Sequence, residues 1–166
     1  MKNEALPAPI GIGHAQTLPS HSVKERKPAM PEIQVLGTVL NPEIRSWLTA
    51  ELRIPVLAVV GRDGAPSQSA MWFDLDADRS DTVLMNTRPE RVKARLIRAD
   101  PRLSLCFVDG EEWVTLRGSG EIDDDPERGS RTIQALAVRY GKDPGRYAGQ
   151  ARITVLMRVE KVIRYS

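Results

Sequence analysis

Residues 86–101 read NTRPERVKARLIRADP and carry the clearest indication of the fold. Arginines recur along this stretch at intervals of three and four residues, and apolar residues occupy the neighbouring positions of a helical face. The pattern predicts an amphipathic helix over residues 88–99. Thr87 is the expected N-cap and Glu90 completes a capping box, whereas Pro101 ends the helix. A basic stripe of this kind is usually a solvated face.

The beginning of this helix also has the features of a phosphate-binding site. Asn86 and Thr87 end the preceding strand, and Arg91 and Lys93 lie in the first helical turns. Free backbone amides at a helix start attract anions, and the two cations strengthen that attraction. No glycine-rich Rossmann or P-loop motif in the sequence competes for this role. The stretch therefore predicts either a solvated basic face or a phosphate site.

Short apolar segments separated by turn residues flank this helix on both sides. Strands joined by such short connections pair antiparallel, and closing the sheet into a small barrel protects its edges. Two further helices are predicted, one capped by Asn41 with Pro42 at its first position, and one over 126–140 that Gly141 closes. The predicted strands are 54–60, 67–76, 82–86, 103–108, 113–122 and one or two strands over 152–165.

The length of 166 residues suggests one domain. Residues 1–34 contain five prolines and no apolar period, so we expect a disordered extension there and a folded domain over 35–166. The 24 basic and 22 acidic residues nearly cancel, which argues against a dedicated nucleic-acid binder. No apolar run is long enough to span a bilayer, and the N-terminus lacks the apolar core of a secretory signal. These features predict a cytoplasmic protein.

The distribution of histidine and cysteine limits the chemistry. Both histidines, His14 and His21, lie in the predicted extension, so the folded domain would lack a histidine base and histidine metal ligands. The single cysteine, Cys106, is expected to be a small buried hydrophobe. The acidic run 123–125 precedes Pro126 and is expected to cap a helix rather than bind a metal. Cofactor-based redox chemistry fits this composition best.

The helical stretch resembles the phosphate-binding segment of the pyridoxamine 5'-phosphate oxidase-like split β-barrels, most closely their deazaflavin-dependent branch. Residues 91–95 (RVKAR) and 98–102 (RADPR) match that pattern, and Leu96-Ile97 stands where the branch usually has Asn-Leu. Residues 63–73 (DGAPSQSAMWF) are similar to the family's D-G-x-P…P-x-W-F hairpin, with Ala70 in place of a proline, and 114–122 (VTLRGSGEI) resemble a further strand. The resemblance covers residues 44–162.

The resemblance implies a mainly β fold, a six- to seven-stranded antiparallel split β-barrel of the FMN-binding type with peripheral helices. It implies that coenzyme F-420 is the cofactor, with FMN as the alternative. Asn86, Thr87, Arg91 and Lys93 would bind the cofactor's phosphate. Met71 and Trp72 could equally be plain barrel core. The residues expected beside the cofactor ring are Ser67, Gln68, Ser69, Met71 and Trp72.

The same resemblance implies an oxidoreductase that passes hydride between reduced deazaflavin and a small organic substrate with an activated double bond. An FMN oxidase or reductase, or a carrier or sensor of flavin or F-420 without turnover, remain alternatives. The proton would come from solvent or a tyrosine, with Tyr140 and Tyr147 as candidates. Pyridoxamine phosphate oxidase activity is not expected, because its Arg-Leu element near the C-terminus has no match here. A homodimer is expected, with Trp113 at the interface.

Overall fold

The computed structural model describes residues 33–37 and 40–165. This part of the chain forms eight β-strands, three α-helices and one short 3-10 helix. In chain order they are β1 Ile33–Gly37, α1 Pro42–Ala50, β2 Val56–Val60, β3 Pro66–Ala70, β4 Phe73–Leu75, β5 Thr82–Thr87, α2 Val92–Ala99, β6 Arg102–Asp109, β7 Glu112–Asp123, α3 Pro126–Arg139, the 3-10 helix Pro144–Tyr147 and β8 Ile153–Tyr165.

All strand pairs are antiparallel, and the sheet order is β3-β2-β6-β7-β8-β5-β4, with β1 pairing along β8. The two strands at the ends of this path, β3 and β4, are separated in the chain only by Met71 and Trp72. The two ends of the sheet must therefore lie side by side, which requires the sheet to curl. The predicted antiparallel split β-barrel is thus confirmed.

The strands bury one face and expose the other, as period-two alternation requires. Leu57, Leu105, Leu116 and Val162 are cross-strand neighbours on β2, β6, β7 and β8, and all four are fully buried. Helix α1 adds Ile44 to this core. The core therefore lies inside the curled sheet, and α1 packs against it. Cys106 was predicted to be buried, but it is only partly buried, because it alternates with the core residues Leu105 and Phe107 along β6 and so lies on the outer face.

Local capping matches the sequence at two helices. The side chain of Asn41 accepts a hydrogen bond of 2.8 Å from the Ile44 amide at the start of α1. The side chain of Asp125 accepts one of 2.9 Å from the Glu127 amide at the start of α3. Gly141 follows α3 with a φ of 64°, the left-handed conformation that glycine adopts readily after a helix. The acidic run before Pro126 therefore supplies a helix cap, as predicted.

The basic helix begins four residues later than predicted. Thr87 is the last residue of β5, where it pairs with Ile153 of β8, so it cannot act as the N-cap. Residues 88–91 form a turn closed by the Arg91 amide and the Arg88 carbonyl at 3.1 Å. Arg91 occupies the N-cap position of α2 without a side-chain cap, and the predicted capping box with Glu90 is absent from this described helix.

The segment predicted as one strand over 67–76 is two strands. The Met71 amide donates to the Pro55 carbonyl at 3.0 Å, and the Phe73 amide donates to the Tyr140 hydroxyl at 3.3 Å. These bonds satisfy the backbone donors where the sheet ladder is interrupted. The segment 153–165, by contrast, is one strand, and its register with β7 shifts between Arg117 and Gly118.

The first strand, β1, begins at Ile33, two residues before the predicted start of the folded domain. The rest of the predicted extension, including His14 and His21, lies outside the described residues. Within the described residues, none of the helices is both long and apolar enough to cross a membrane.

Candidate functional site

A cleft of about 650 Å³ lies where the two ends of the curled sheet meet. Its walls come from β3, the Met71–Trp72 link, the end of β5, the start of α2 and one side of α3. All nine residues predicted to bind the cofactor line this single cleft: Ser67, Gln68, Ser69, Met71, Trp72, Asn86, Thr87, Arg91 and Lys93.

Four cations line the cleft: Arg88, Arg91, Lys93 and Arg152. Among the described residues, no carboxylate lines the cleft or forms a salt bridge with any of the four. Cations that converge without salt-bridge partners repel one another and favour an anion nearby. The cleft therefore carries a cluster of positive charge, which the carboxylate of Glu90 offsets only in part at Arg152.

Lys93 is the most confined of these cations. Its Nζ atom lies 3.0 Å from the Sδ atom of Met71, and a thioether sulfur is only a weak acceptor. Burial, and secondarily the charge of Arg91, lowers the pKa of the Lys93 ammonium below its ordinary value. An anion placed against Lys93 would relieve this cost, which gives the side chain an electrostatic reason to bind one.

Arg88 and Arg152 meet at the side chain of Gln150. The Nη2 atom of Arg88 donates to Gln150 Oε1 at 3.3 Å. The Nε and Nη2 atoms of Arg152 donate to the same oxygen at 3.2 and 2.6 Å. Burial, and then the charge of Arg88, lowers the pKa of Arg152. Two guanidinium groups are thus held together by one neutral oxygen.

Asn86 connects the cleft to α3. Its Nδ2 atom donates to the Gly129 carbonyl at 2.9 Å, whereas its buried Oδ1 atom has no partner among the described residues. A β-carbon on Gly129 would lie 2.0 Å from the Arg152 carbonyl oxygen. The glycine therefore lets α3 approach the chain just before β8, which brings Asn86 and Arg152 to the same cleft.

Aromatic side chains lie beside these cations, since the Arg152 guanidinium carbon is 5.4 Å from the centroid of the Tyr147 ring. The Trp72 ring stacks on Tyr140 with centroids 5.0 Å apart, and meets the edge of Tyr147 at 6.0 Å. The Tyr140 hydroxyl donates to the Arg53 carbonyl at 2.7 Å and accepts from the Phe73 amide. Burial raises the pKa of Tyr140. Tyr140 therefore holds the link between β3 and β4 in position, and its own proton is engaged.

The sequence allowed two roles for Met71 and Trp72, as barrel core or as residues beside the cofactor, and the structure is compatible with both. Met71 is 5% exposed and packs in the barrel core, yet it also lines the cleft beside Lys93. Trp72 is half-buried and lines the cleft as well. The cleft thus opens directly onto the barrel core at the interruption of the sheet.

Several lining residues were not predicted as site residues, above all Arg88, Arg152, Ile133 and Leu136. Arg152 reaches the cleft because β8 pairs with β5 in a register that sets Ile153 opposite Thr87. That pairing joins residues 66 positions apart, and short-range sequence patterns do not reveal it. The only local signal was the position of Arg88 beside Asn86 and Thr87 in the basic stretch.

Residues 40–164 match the family model described as pyridoxamine 5'-phosphate oxidase, which covers most of the chain. The chain belongs to this family. Pyridoxamine 5'-phosphate oxidase family proteins are split-barrel, flavin-binding and mostly oxidoreductases. The family thus accounts for the curled sheet.

Solved structures share the family fold. An F-420 reductase is 25% identical, with a TM-score of 0.60 over 70% of this chain and 94% of its own. A conserved hypothetical protein from Mycobacterium tuberculosis is 24% identical, with a TM-score of 0.64 over 78% and 86%. General stress protein 26 from Bacillus anthracis strain Sterne is 15% identical, with a TM-score of 0.56 over 72% and 89%. No curated protein sequence matches the chain.

Proposed function

We propose that this protein is an F-420-dependent oxidoreductase that transfers hydride between reduced deazaflavin and a small organic substrate with an activated double bond. The observation that carries the proposal is the single cleft, in which cations without salt-bridge partners lie beside a cluster of aromatic rings. The similarity to an F-420 reductase favours deazaflavin over flavin. FMN is the alternative cofactor, because both cofactors carry a ribityl chain and a phosphate.

The donor set of the cleft fits such a cofactor. Arg91 and Lys93 would hold the phosphate, since both line the cleft at the start of α2, where Lys93 lacks a strong acceptor. The buried and unpartnered Oδ1 atom of Asn86 would accept a hydrogen bond from a ribityl hydroxyl. A cleft of about 650 Å³ is of the size that binds cofactors.

The polar strand β3 and the aromatic cluster would enclose the ring. Ser67, Gln68 and Ser69 present hydroxyl and amide groups along an edge strand whose outer side pairs with no described strand. Trp72 is held by its stacking on Tyr140 and so presents a fixed surface. The bound cofactor would supply the hydride chemistry, and the protein would supply binding, orientation and shelter from water.

The proton that accompanies hydride transfer would come from solvent or from Tyr147. The described part of the chain contains no histidine. The Tyr140 hydroxyl already donates to the Arg53 carbonyl, which makes it a poor donor to a substrate. Tyr147 lines the cleft and has no hydrogen bond from its hydroxyl within the described residues. This difference favours Tyr147 over Tyr140 in the proposal.

We further propose a homodimer that acts in the cytoplasm on a small-molecule substrate. The support for a dimer is an outer apolar row, a set of cross-strand neighbours on the exposed face of the sheet. Exposed Val108 lies opposite Trp113, whose ring stacks on Tyr165 with centroids 5.7 Å apart. Ile33, Val35 and Val56 on the same face are exposed as well, and a group of exposed apolar side chains is typical of an interaction site. The outer apolar row consists of Ala70, Val56, Cys106, Thr115, Ile163 and Val35, with Val108, Trp113, Tyr165 and Ile33 beside it.

The outer apolar row begins at Ala70, which also lines the cleft. A second copy packed on this face would therefore approach the open side of the cleft. Sedimentation velocity at micromolar concentration should show a dimer. Val108→Glu should dissociate it, whereas Val138→Glu, a matched change at an equally exposed position on α3, should not. A monomeric wild-type protein, or a dimeric Val108→Glu variant, would contradict the proposed interface.

The cofactor is tested by an absorption spectrum of protein purified from its own host, with mass spectrometry of the released cofactor. Separate titrations of the cofactor-free protein with F-420 and FMN should show tighter binding of F-420. Preferential binding of FMN would assign the flavin alternative. A spectrum without either chromophore and no binding in both titrations would contradict the proposed function. Binding without any hydride transfer to a panel of activated double-bond substrates would favour the carrier or sensor alternative.

A further inference from the structure

The convergence of Arg88 and Arg152 on Gln150 resembles the recognition of an oxyanion. Three N–H donors from two guanidinium groups point at one oxygen atom, at 2.6 to 3.3 Å. Arginine forks of this kind are suited to carboxylate and phosphate oxygens. Here the acceptor is a neutral amide oxygen, which is the weaker partner for two positive charges. The oxygen of Gln150 therefore occupies a position that an anionic oxygen would fill more favourably.

Arg88 and Arg152 form no salt bridge within the described residues. Several arginines outside the cleft do pair with carboxylates, among them Arg98 with Asp124, Arg128 with Asp123 and Arg164 with Glu43. Arg88 and Arg152 both line the cleft, and burial and then the charge of Arg88 lower the pKa of Arg152, an effect that the carboxylate of Glu90 opposes. With no carboxylate bonded to them among the described residues, the two guanidinium groups are available to a ligand.

The position of Gln150 in the chain allows its side chain to rotate away from the cleft. It follows Gly149, whose φ is 71°, in the turn after the 3-10 helix. Its backbone amide donates a hydrogen bond of 3.3 Å to the Tyr147 carbonyl. Its Nε2 atom donates one of 2.8 Å to the carbonyl oxygen of Arg146, which is an exposed residue. Rotation of the side chain away from the cleft would cost only hydrogen bonds that water can replace.

We propose that Arg88 and Arg152 form an oxyanion subsite in the cleft, and that the Gln150 side-chain oxygen holds it in place until a ligand oxyanion displaces it. This inference deepens the proposed function and rests on it for the identity of the ligand. The ligand group is either a carboxylate of the substrate or the phosphate of the cofactor. Both present the paired oxygens that two guanidinium groups recognise.

The test is calorimetric titration of the full chain, free of cofactor, with inorganic phosphate at low ionic strength. The background is the Arg91→Ala, Lys93→Ala double variant, which removes the proposed phosphate site at α2. Gln150→Ala should bind phosphate roughly 3- to 10-fold more tightly, because a competing charge-assisted hydrogen bond is gone. Gln150→Glu and Arg152→Gln should each bind at least roughly tenfold more weakly. Gln134→Ala, the same change on α3 away from the cleft, should have no effect.

Phosphate affinity that is unchanged or weakened in Gln150→Ala would overturn the inference, because Gln150 would then be a bystander or a supporting ligand. The variants could instead show the expected order of phosphate affinities while the protein binds neither F-420 nor FMN. That result would support the oxyanion subsite and contradict the proposed function. The two sources of the oxyanion are separated in the wild-type protein saturated with cofactor. If the cofactor-saturated protein no longer binds added inorganic phosphate, the subsite is assigned to the cofactor's own phosphate. If it still binds added acetate, the subsite is assigned to a carboxylate of the substrate.

Discussion

Replacing Lys93 should weaken cofactor binding far more than replacing Arg91, although the two cations lie two residues apart. Lys93 is half-buried, with its Nζ atom 3.0 Å from a thioether sulfur, whereas Arg91 is exposed at the start of α2. A buried charge bound to an anion is poorly screened by solvent, and an exposed one is well screened. The environments of the two side chains, rather than their charges, set the expected difference.

The magnitudes follow from these environments. A charged hydrogen bond at a sheltered site contributes about 1.5–3 kcal/mol, so Lys93→Ala should weaken F-420 or FMN binding by roughly 10- to 150-fold. An exposed ion pair contributes about 0.2–1 kcal/mol, so Arg91→Ala should weaken binding by no more than roughly fivefold. The double variant should lose roughly one to three orders of magnitude.

Fluorescence or calorimetric titration of each variant with F-420 and FMN measures these losses. Arg95→Ala is the matched control, because Arg95 is exposed on the same helix and lines no part of the cleft. It should change affinity by less than roughly twofold. Equal effects of Lys93→Ala and Arg95→Ala would mean that α2 carries a solvated basic face, and would refute the proposal that Lys93 binds the phosphate.

The lowered pKa of Lys93 gives the same prediction a pH dependence. The unbound fold disfavours the ammonium form, and a bound anion favours it, so affinity should fall as the pH rises through this lowered pKa. In the unbound protein, the unfolded chain binds more protons at this site than the folded chain between the lowered pKa and 10.5. Lys93 should therefore make stability rise with pH in that window and contribute no slope below it. Lys93→Arg should remove both effects, because arginine stays charged.

Three further changes test how the cleft is held together. Tyr140→Phe removes two hydrogen bonds that position the Met71–Trp72 link, so urea denaturation should show a loss of about 1–3 kcal/mol; Tyr147→Phe, the control, should lose less than about 0.5 kcal/mol. Gly129→Ala places a β-carbon 2.0 Å from the Arg152 carbonyl oxygen and should lower stability by about 1–3 kcal/mol, and an unchanged melting temperature would show that α3 can shift freely. Removing residues 1–32, just before β1, should leave the fold and cofactor binding intact. A truncated protein that no longer binds the cofactor would make His14 and His21 candidates for site residues.

Elements set by neighbouring residues could be predicted from the sequence. Asn41-Pro42 and Asp125-Pro126 begin α1 and α3 as expected, because a cap and a proline at the first position act within one turn. Gly64 in the turn between β2 and β3 has a φ of 82°, as the Asp63-Gly64 pair indicated. The nine predicted site residues come from three short segments, and the family resemblance was sufficient to group them.

Elements that depend on distant pairing were predicted less well. Thr87 had the local signature of a helix cap, but its pairing with Ile153 keeps it in a strand, so α2 starts at Val92. The strand over 67–76 was expected to be continuous, but bonds to the Pro55 carbonyl and the Tyr140 hydroxyl interrupt it. In each case, a partner far away in the sequence outweighed a local preference.

The sequence by itself determined the antiparallel split barrel, the two capped helices and the basic segment that begins with Asn86. These follow from residue patterns that act over a few positions, and from a resemblance carried by contiguous motifs. Only the tertiary structure decided which cations face the cleft, because Arg152 arrives there through the β5–β8 register and the close approach of α3 at Gly129. It also separated Lys93 from Arg91 and Tyr147 from Tyr140, since burial and hydrogen-bond partners belong to the fold and not to residue type.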